Sequence, residues 1–118
     1  MTTISSHILD STNGQDASGI HVACNRLFRG EMPQEVFDGY ANGEGRISFD
    51  VNTTADSDDV RYELFFLTGA YFVDRKLTAL DESVVNEIVV RLDLSKTEDR
   101  CHVPVLIAPH NFTVWWSG

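Results

Sequence analysis

The chain has 118 residues, 42% of them hydrophobic and 23% charged, an ordinary globular composition that fits one domain over residues 1–118 and argues against disorder. Nine basic residues against 18 acidic ones leave a formal charge of −9, which repels phosphate backbones and anionic lipid and argues against nucleic-acid and membrane partners. No apolar run approaches the roughly 20 residues a membrane helix needs; residues 1–10 carry no basic stretch of a signal peptide, and the expected compartment is the cytoplasm.

The dominant period is two, the mark of strands with a buried face. A short strand is predicted over residues 4–9, followed by the turn signals Asn13-Gly14 and Ser18-Gly19. The next spans residues 20–28, with Val22 and Cys24 on one face and His21 on the other, toward solvent. After the turn Asn42-Gly43-Glu44-Gly45, Ile47, Phe49 and Val51 alternate with Ser48 and Asp50. The acidic stretch 53–59 lacks the spacing and terminal Glu of a calcium loop and reads as a solvated turn. Tyr62, Leu64 and Phe66 then alternate with Arg61, Glu63 and Phe65. Residues 69–86 break the period; Tyr71, Phe72, Leu77, Leu80 and Val84 place one short helix within them. Alternation returns with Ile88, Val90, Leu92 and Leu94, again with Val103, Val105 and Ile107, and ends in a short strand over residues 112–116. Seven to eight short strands and one helix predict an all-β fold, an antiparallel β-sandwich. Cys24 and Cys101 form neither a disulfide framework nor a four-ligand zinc set and read as small buried hydrophobes in a reducing compartment.

The chemistry-bearing residues are scattered. His7 lies at the end of the first strand, Arg46 at the mouth of the strand after the glycine turn, His102 at the start of a late strand, and His110 at a turn after Pro109. Strand ends of a sandwich gather at its rims, where function commonly sits, and His7, Arg46 and His102 can converge there. A neutral imidazole takes a proton from water near pH 7, and a guanidinium stabilises a developing oxyanion, so the set suits hydrolysis. No Gly-x-Ser-x-Gly elbow, His-x-His pair or His-Glu-x-x-His motif is present, so neither a serine nucleophile nor a metal is expected. Gly43 and Gly45 form no phosphate loop.

Several stretches, in order, resemble the transthyretin-related family and within it the 5-hydroxyisourate hydrolase branch. They are Ser6-His7-Ile8-Leu9-Asp10, the turn Asn42-Gly43-Glu44-Gly45-Arg46, the block from Tyr62 through Thr68-Gly69-Ala70 to Phe72, and His102-Val103-Pro104-Val105-Leu106-Ile107-Ala108-Pro109. The resemblance implies a single transthyretin-like domain with a prealbumin-like sandwich, assembled as a homotetramer (a dimer of dimers) with active sites in a channel between dimers. It implies ring opening of a urate-derived heterocycle at a cyclic amide C–N bond, in purine metabolism, without metal or cofactor. His7, Arg46 and His102 match the family's functional positions and are the expected catalytic residues.

The C-terminus departs from that pattern. Where the hydrolase branch typically reads Tyr-Arg-Gly-Ser, this chain has Trp115-Trp116-Ser117-Gly118, and Pro109-His110-Asn111-Phe112-Thr113 replaces Pro-Tyr-Gly-Tyr-Ser. His110, Trp115, Trp116, Ser117 and Gly118 are the corresponding substrate-binding candidates. Loss of the arginine removes a bidentate partner for a polar ring, and two indoles make the pocket more aromatic, or cement a subunit interface instead. Four readings therefore stand: the family hydrolase, a repurposed relative acting by hydrolysis, ring opening or isomerisation on a more aromatic substrate in specialised metabolism, a non-catalytic carrier of an aromatic ligand, and a purely structural interaction module. Which histidine is the base stays open at this level.

Overall fold

The computed structural model describes residues 1–76 and 84–117. Among these, ten strands form a six-stranded and a four-stranded sheet, with one α-helix. β1 (Thr2–Asp10) alternates buried and half-buried residues along its whole length. Ile4 and Ile8 enter the core, while Thr3, Ser5 and His7 stand on the outer face.

This strand organises the larger sheet. On one side it pairs antiparallel with β5 (Arg46–Val51), from Thr2 opposite Val51 to His7 opposite Arg46. Beyond His7 the two-residue β2 (Gln15–Asp16) takes over at Leu9 and Asp10. On the other side β1 runs parallel to β8 (Arg100–His102) over residues 3–5 and to β9 (Val105–Ile107) over residues 8–10. β10 (Phe112–Val114) closes the sheet outside β9. The second sheet has the order β4 (Gln34–Tyr40), β3 (His21–Leu27), β6 (Arg61–Phe66), β7 (Ile88–Leu92), all antiparallel. The inner faces meet in one core that includes Ile4, Ile8, Val22, Leu64, Phe66 and Val105, each fully buried.

The expected sandwich is present, with differences that have physical causes. Two pairings of β1 are parallel, because alternation reports which face a residue takes and not which strand lies beside it. The predicted run through Val103 and Ile107 is two strands, since Pro104 has no N–H to give a ladder. At the break Val103 N–H donates to the Ser5 carbonyl at 2.8 Å, and the buried Ser6 hydroxyl donates to the Val103 carbonyl at 2.5 Å. β4 carries almost no alternation because it is a half-exposed edge strand opposite a register shift at Cys24/Asn25. Phe37 on it stacks against Phe49 of β5 with centroids 4.1 Å apart, joining the two sheets at that edge. The helix α1 spans Thr68–Asp74 and buries Tyr71 and Phe72; Leu77 and Leu80 of the predicted helical segment lie outside the described residues.

The acidic stretch is not merely solvated. Arg26 donates through Nε and Nη2 to Asp56 Oδ1 at 2.9 and 2.8 Å, and the Tyr62 hydroxyl donates to Asp56 Oδ2. Burial, reinforced by that carboxylate, pushes the Tyr62 hydroxyl far up. Cys24 and Cys101 are free and buried, and burial pushes the Cys24 thiol up to about 12 and the Cys101 thiol upward too. His21 is only partly exposed; its Nε2 lies 2.8 Å from Asp38 Oδ1, and its ring stacks on Tyr40.

A buried carboxylate fastens α1 to the end of β1. Asp10, 0% exposed, accepts from Thr12 N–H at 2.9 Å, the Thr12 hydroxyl at 2.5 Å and the Tyr71 hydroxyl at 2.9 Å. The Arg75 guanidinium lies 3.6 Å from the Tyr71 ring centroid. Burial first, then the neighbouring carboxylate, pushes the Tyr71 hydroxyl up to about 12. Removing that hydroxyl leaves a buried carboxylate one donor short, so Tyr71→Phe is expected to lower stability by about 1–3 kcal/mol in urea titration. No helix among the described residues is long and apolar enough to cross a membrane.

Candidate active site

The turn before β5 sets one wall of the site. Asn42 Oδ1 accepts from the N–H groups of Glu44 and Arg46 at 2.9 and 3.0 Å, winding the turn around its side chain. Gly45 sits at φ +70°, and a Cβ there would lie 2.5 Å from the Ile8 carbonyl oxygen. Both facts demand glycine. The Gly45 carbonyl in turn accepts from Ile8 N–H at 2.8 Å. The turn is thereby locked against β1, and Arg46 emerges directly opposite His7.

His7 is held from the other direction. Gly14, at φ +71°, closes the hairpin that returns β2 alongside β1, and Asp16 on β2 places Oδ1 2.9 Å from His7 Nε2. His102 ends β8 in register with Ser5, and its Nδ1 lies 2.8 Å from Ser5 Oγ. The tail docks beside it: Ser117 N–H donates to the His102 carbonyl at 2.8 Å, and His102 N–H to the Ser117 carbonyl at 3.3 Å.

Over the outer face of the six-stranded sheet these elements leave an open cleft of about 600 Å³, whose walls include Ser5, Arg46, Ser48, Arg100, His102 and Ser117. His7 does not line it. Burial first, then the positive charges of Arg46, His7 and Arg100, holds His102 below the ordinary histidine range, with a hydrogen bond to the Ser5 backbone pulling weakly the other way. In the tautomer that places its proton on Nδ1, facing Ser5 Oγ, Nε2 carries the lone pair, and the lowered pKa favours the neutral ring. Such an arrangement can take a proton from a bound water, while Arg46 supplies fixed positive charge for an oxyanion.

The predicted residues divide. Arg46 and His102 meet in the cleft with His7 at its margin, but on a sheet face rather than a rim, because β1 continues three residues past His7 on the support of β2 and β9. Ser117 lines the same cleft. His110 is exposed in the bend between β9 and β10, away from the cleft walls. Trp115 is 44% exposed and donates its N–H to the Pro104 carbonyl at 3.3 Å, without lining the cleft. Trp116, 61% exposed, borders instead an edge pocket with Leu92, Lys96 and Cys101. Gly118 lies outside the described residues. Sequence reasoning missed Ser5 and Arg100. The signal was available: residues two apart in a strand share a face, so Ser5 accompanies His7 and Arg100 accompanies His102.

Comparison with known proteins follows the same positions. The family model for the HIUase/Transthyretin family matches residues 4–116. The chain belongs to this family. Among family members, the structure of Klebsiella pneumoniae 5-hydroxyisourate hydrolase superposes with a TM-score of 0.76 at 30% identity, covering 100% of both chains. A 5-hydroxyisourate hydrolase of Mus musculus is 30% identical over 116 residues, covering 95% of this chain and 92% of the mouse protein. Sea bream transthyretin in complex with thyroxine matches with a TM-score of 0.78 at 17% identity, covering 97% of this chain and 93% of that one, a likeness of fold alone.

Proposed function

We propose that this protein is a cofactor-independent hydrolase that opens the ring of 5-hydroxyisourate at a cyclic amide C–N bond, with His7, Arg46 and His102 as its catalytic residues. The observation that carries this reading is the placement of His102: partly buried, its Nδ1 held 2.8 Å from Ser5 Oγ, in the same cleft as Arg46, whose charge helps to push its pKa down. A carrier has no use for such a group, and desolvating polar side chains without employing them costs free energy. The relatives named as 5-hydroxyisourate hydrolases supply the substrate.

In the proposed reaction His102 Nε2 takes a proton from water as its oxygen attacks the ring carbonyl carbon. Arg46 stabilises the resulting oxyanion. When the C–N bond breaks, the imidazolium returns the proton to the departing nitrogen, so one water is consumed and the ring opens to an N–H and a carboxylic acid, which ionises by releasing its proton to solvent. His7, oriented by Asp16, binds the ring at the cleft margin. The cleft formed by one chain is open across the sheet face. A second copy laid over that face would close it, in keeping with a homotetramer, which light scattering would report as four times the chain mass.

The test is the rate of decay of freshly generated 5-hydroxyisourate. Acceleration over the spontaneous rate supports the reading; its absence sinks it. The docked tail favours a second reading: Ser117 stands beside His102 at a position where the tail carries no arginine, a difference from the hydrolase branch that suits a less polar ring. Turnover of another heterocycle, lost in His102→Ala, with 5-hydroxyisourate untouched, would select that alternative.

The pH profile follows from the direction of the His102 shift. The base must be neutral, and its pKa is lowered, so kcat/KM is expected to be flat above neutrality and to fall only below about pH 6.5. A profile that still rises between pH 7 and 8 would contradict it. The unfolded chain holds this proton more tightly than the folded one, so stability also declines as pH drops from about 6.5 toward the folded-state pKa.

A further inference from the structure

The chain's arginines are not used alike. Acidic residues outnumber basic ones 18 to 9, so a carboxylate partner is easily found. Arg26, Arg29, Arg61 and Arg91 each pair with one, at 2.8 to 3.6 Å, and Arg75 donates to the carbonyls of Ser18 and Tyr71. Among the described residues, the two remaining arginines, Arg46 and Arg100, have no carboxylate within ion-pair distance, and both line the same cleft. Among the described residues no carboxylate side chain lines that cleft; its other polar walls are Thr3, Ser5, Ser6, Ser48, Ser117, Asn42 and His102. Asp50 accepts from the Thr3 hydroxyl at 2.6 Å and Asp16 holds His7, while Glu98 and Asp99, next to Arg100 in sequence, border a separate pocket with it and make no ion pair with it.

The register places the two guanidiniums at diagonal corners. Arg46 stands opposite His7 on the β5 side of β1, and Arg100 beside Thr3 on the β8 side. Four residues of strand and two strand spacings separate their Cα atoms, about 13 Å along and about 10 Å across. Two long side chains entering one cleft from those corners leave room between them for a flat ring.

We propose that Arg100 is a second substrate-binding guanidinium, paired with Arg46 to select a heterocycle carrying negative charge. Arg100 thus restores, from β8, the cation that the C-terminal tail lacks, and the rebuilt tail does not by itself turn the site away from anionic rings. The charge of Arg100 acting on His102 is consistent with this placement. The proposal rests on the hydrolase reading only for the identity of the substrate.

The experiment compares wild type, Arg100→Gln and Arg100→Lys in two assays, with Arg29→Gln, a surface arginine, as control. Turnover of 5-hydroxyisourate is measured at low and high salt, and urate, a planar anion that cannot be ring-opened by hydrolysis here, is titrated by calorimetry. Arg100→Gln is expected to raise KM and weaken urate binding by about tenfold or more, the worth of a charged hydrogen bond, with a smaller change in kcat. Arg100→Lys recovers part of the loss, and the salt dependence of KM diminishes in Arg100→Gln. If wild type fails to turn over 5-hydroxyisourate, the hydrolase reading fails while urate binding still decides this one: salt-sensitive binding that depends on Arg100 upholds it. Urate binding that is absent from wild type, or unchanged within twofold in a folded Arg100→Gln, overturns it.

Discussion

His102→Ala is expected to lower kcat/KM for 5-hydroxyisourate by about 10²–10⁴-fold, the usual range for losing a positioned general base. The fold should survive, because His102 is half-exposed on the outer face while its neighbours Cys101 and Val103, 3% and 1% exposed, hold the segment in the core. Circular dichroism and urea melts of the variant would establish that. Added imidazole should then restore part of the rate, since the cavity left behind opens onto solvent. Ser5→Ala removes only the group that orients Nδ1 and should cost less, about tenfold, mainly in kcat. A folded His102→Ala enzyme with wild-type rates would eliminate His102 as the base and transfer that role to His7.

Gly45→Ala should be the most damaging single methyl group in the chain. The position has φ +70°, and the added carbon would meet the Ile8 carbonyl oxygen at 2.5 Å and the Ala17 amide nitrogen at 3.0 Å, both backbone atoms that cannot swing aside. Strained φ alone costs about 1–2 kcal/mol, and displacing the turn adds to it, so a loss of about 2–4 kcal/mol is expected in denaturant unfolding. Activity should fall as well, because the same turn presents Arg46 opposite His7. Gly43→Ala, two residues away, meets nothing within 4 Å and should change stability by less than about 0.5 kcal/mol. Equal melting of the two variants would refute the account of this turn.

Much of the fold, and the residues of the candidate site, are legible in the sequence. The sandwich followed from period-two runs, and the resemblance to the family singled out His7, Arg46 and His102. Their neighbourhood was harder to read. The parallel pairing of β1 with β8, which brings Ser5 under His102, joins residues nearly a hundred positions apart and leaves no trace in local alternation. β4 was invisible because an edge strand with exposed Gln34 and Glu35 has little to alternate. Trp116 was expected in the pocket from its place in a motif, but a residue's side of the sheet depends on the backbone path after Pro104, where the tail leaves β10 and rejoins at Ser117. Arg100 gives no signal in the sequence because charged residues near turns are commonly solvated; its lack of an ion pair among the described residues is a property of the folded chain.

β1 carries core residues and cleft residues on alternate positions of one strand. A slip of one place would drive His7 and Ser5 into the apolar interior and turn Ile4 and Ile8 out to water. Core packing and the presentation of the cleft are decided by one register: a chain that buries Ile4 and Ile8 has already turned Ser5 and His7 outward.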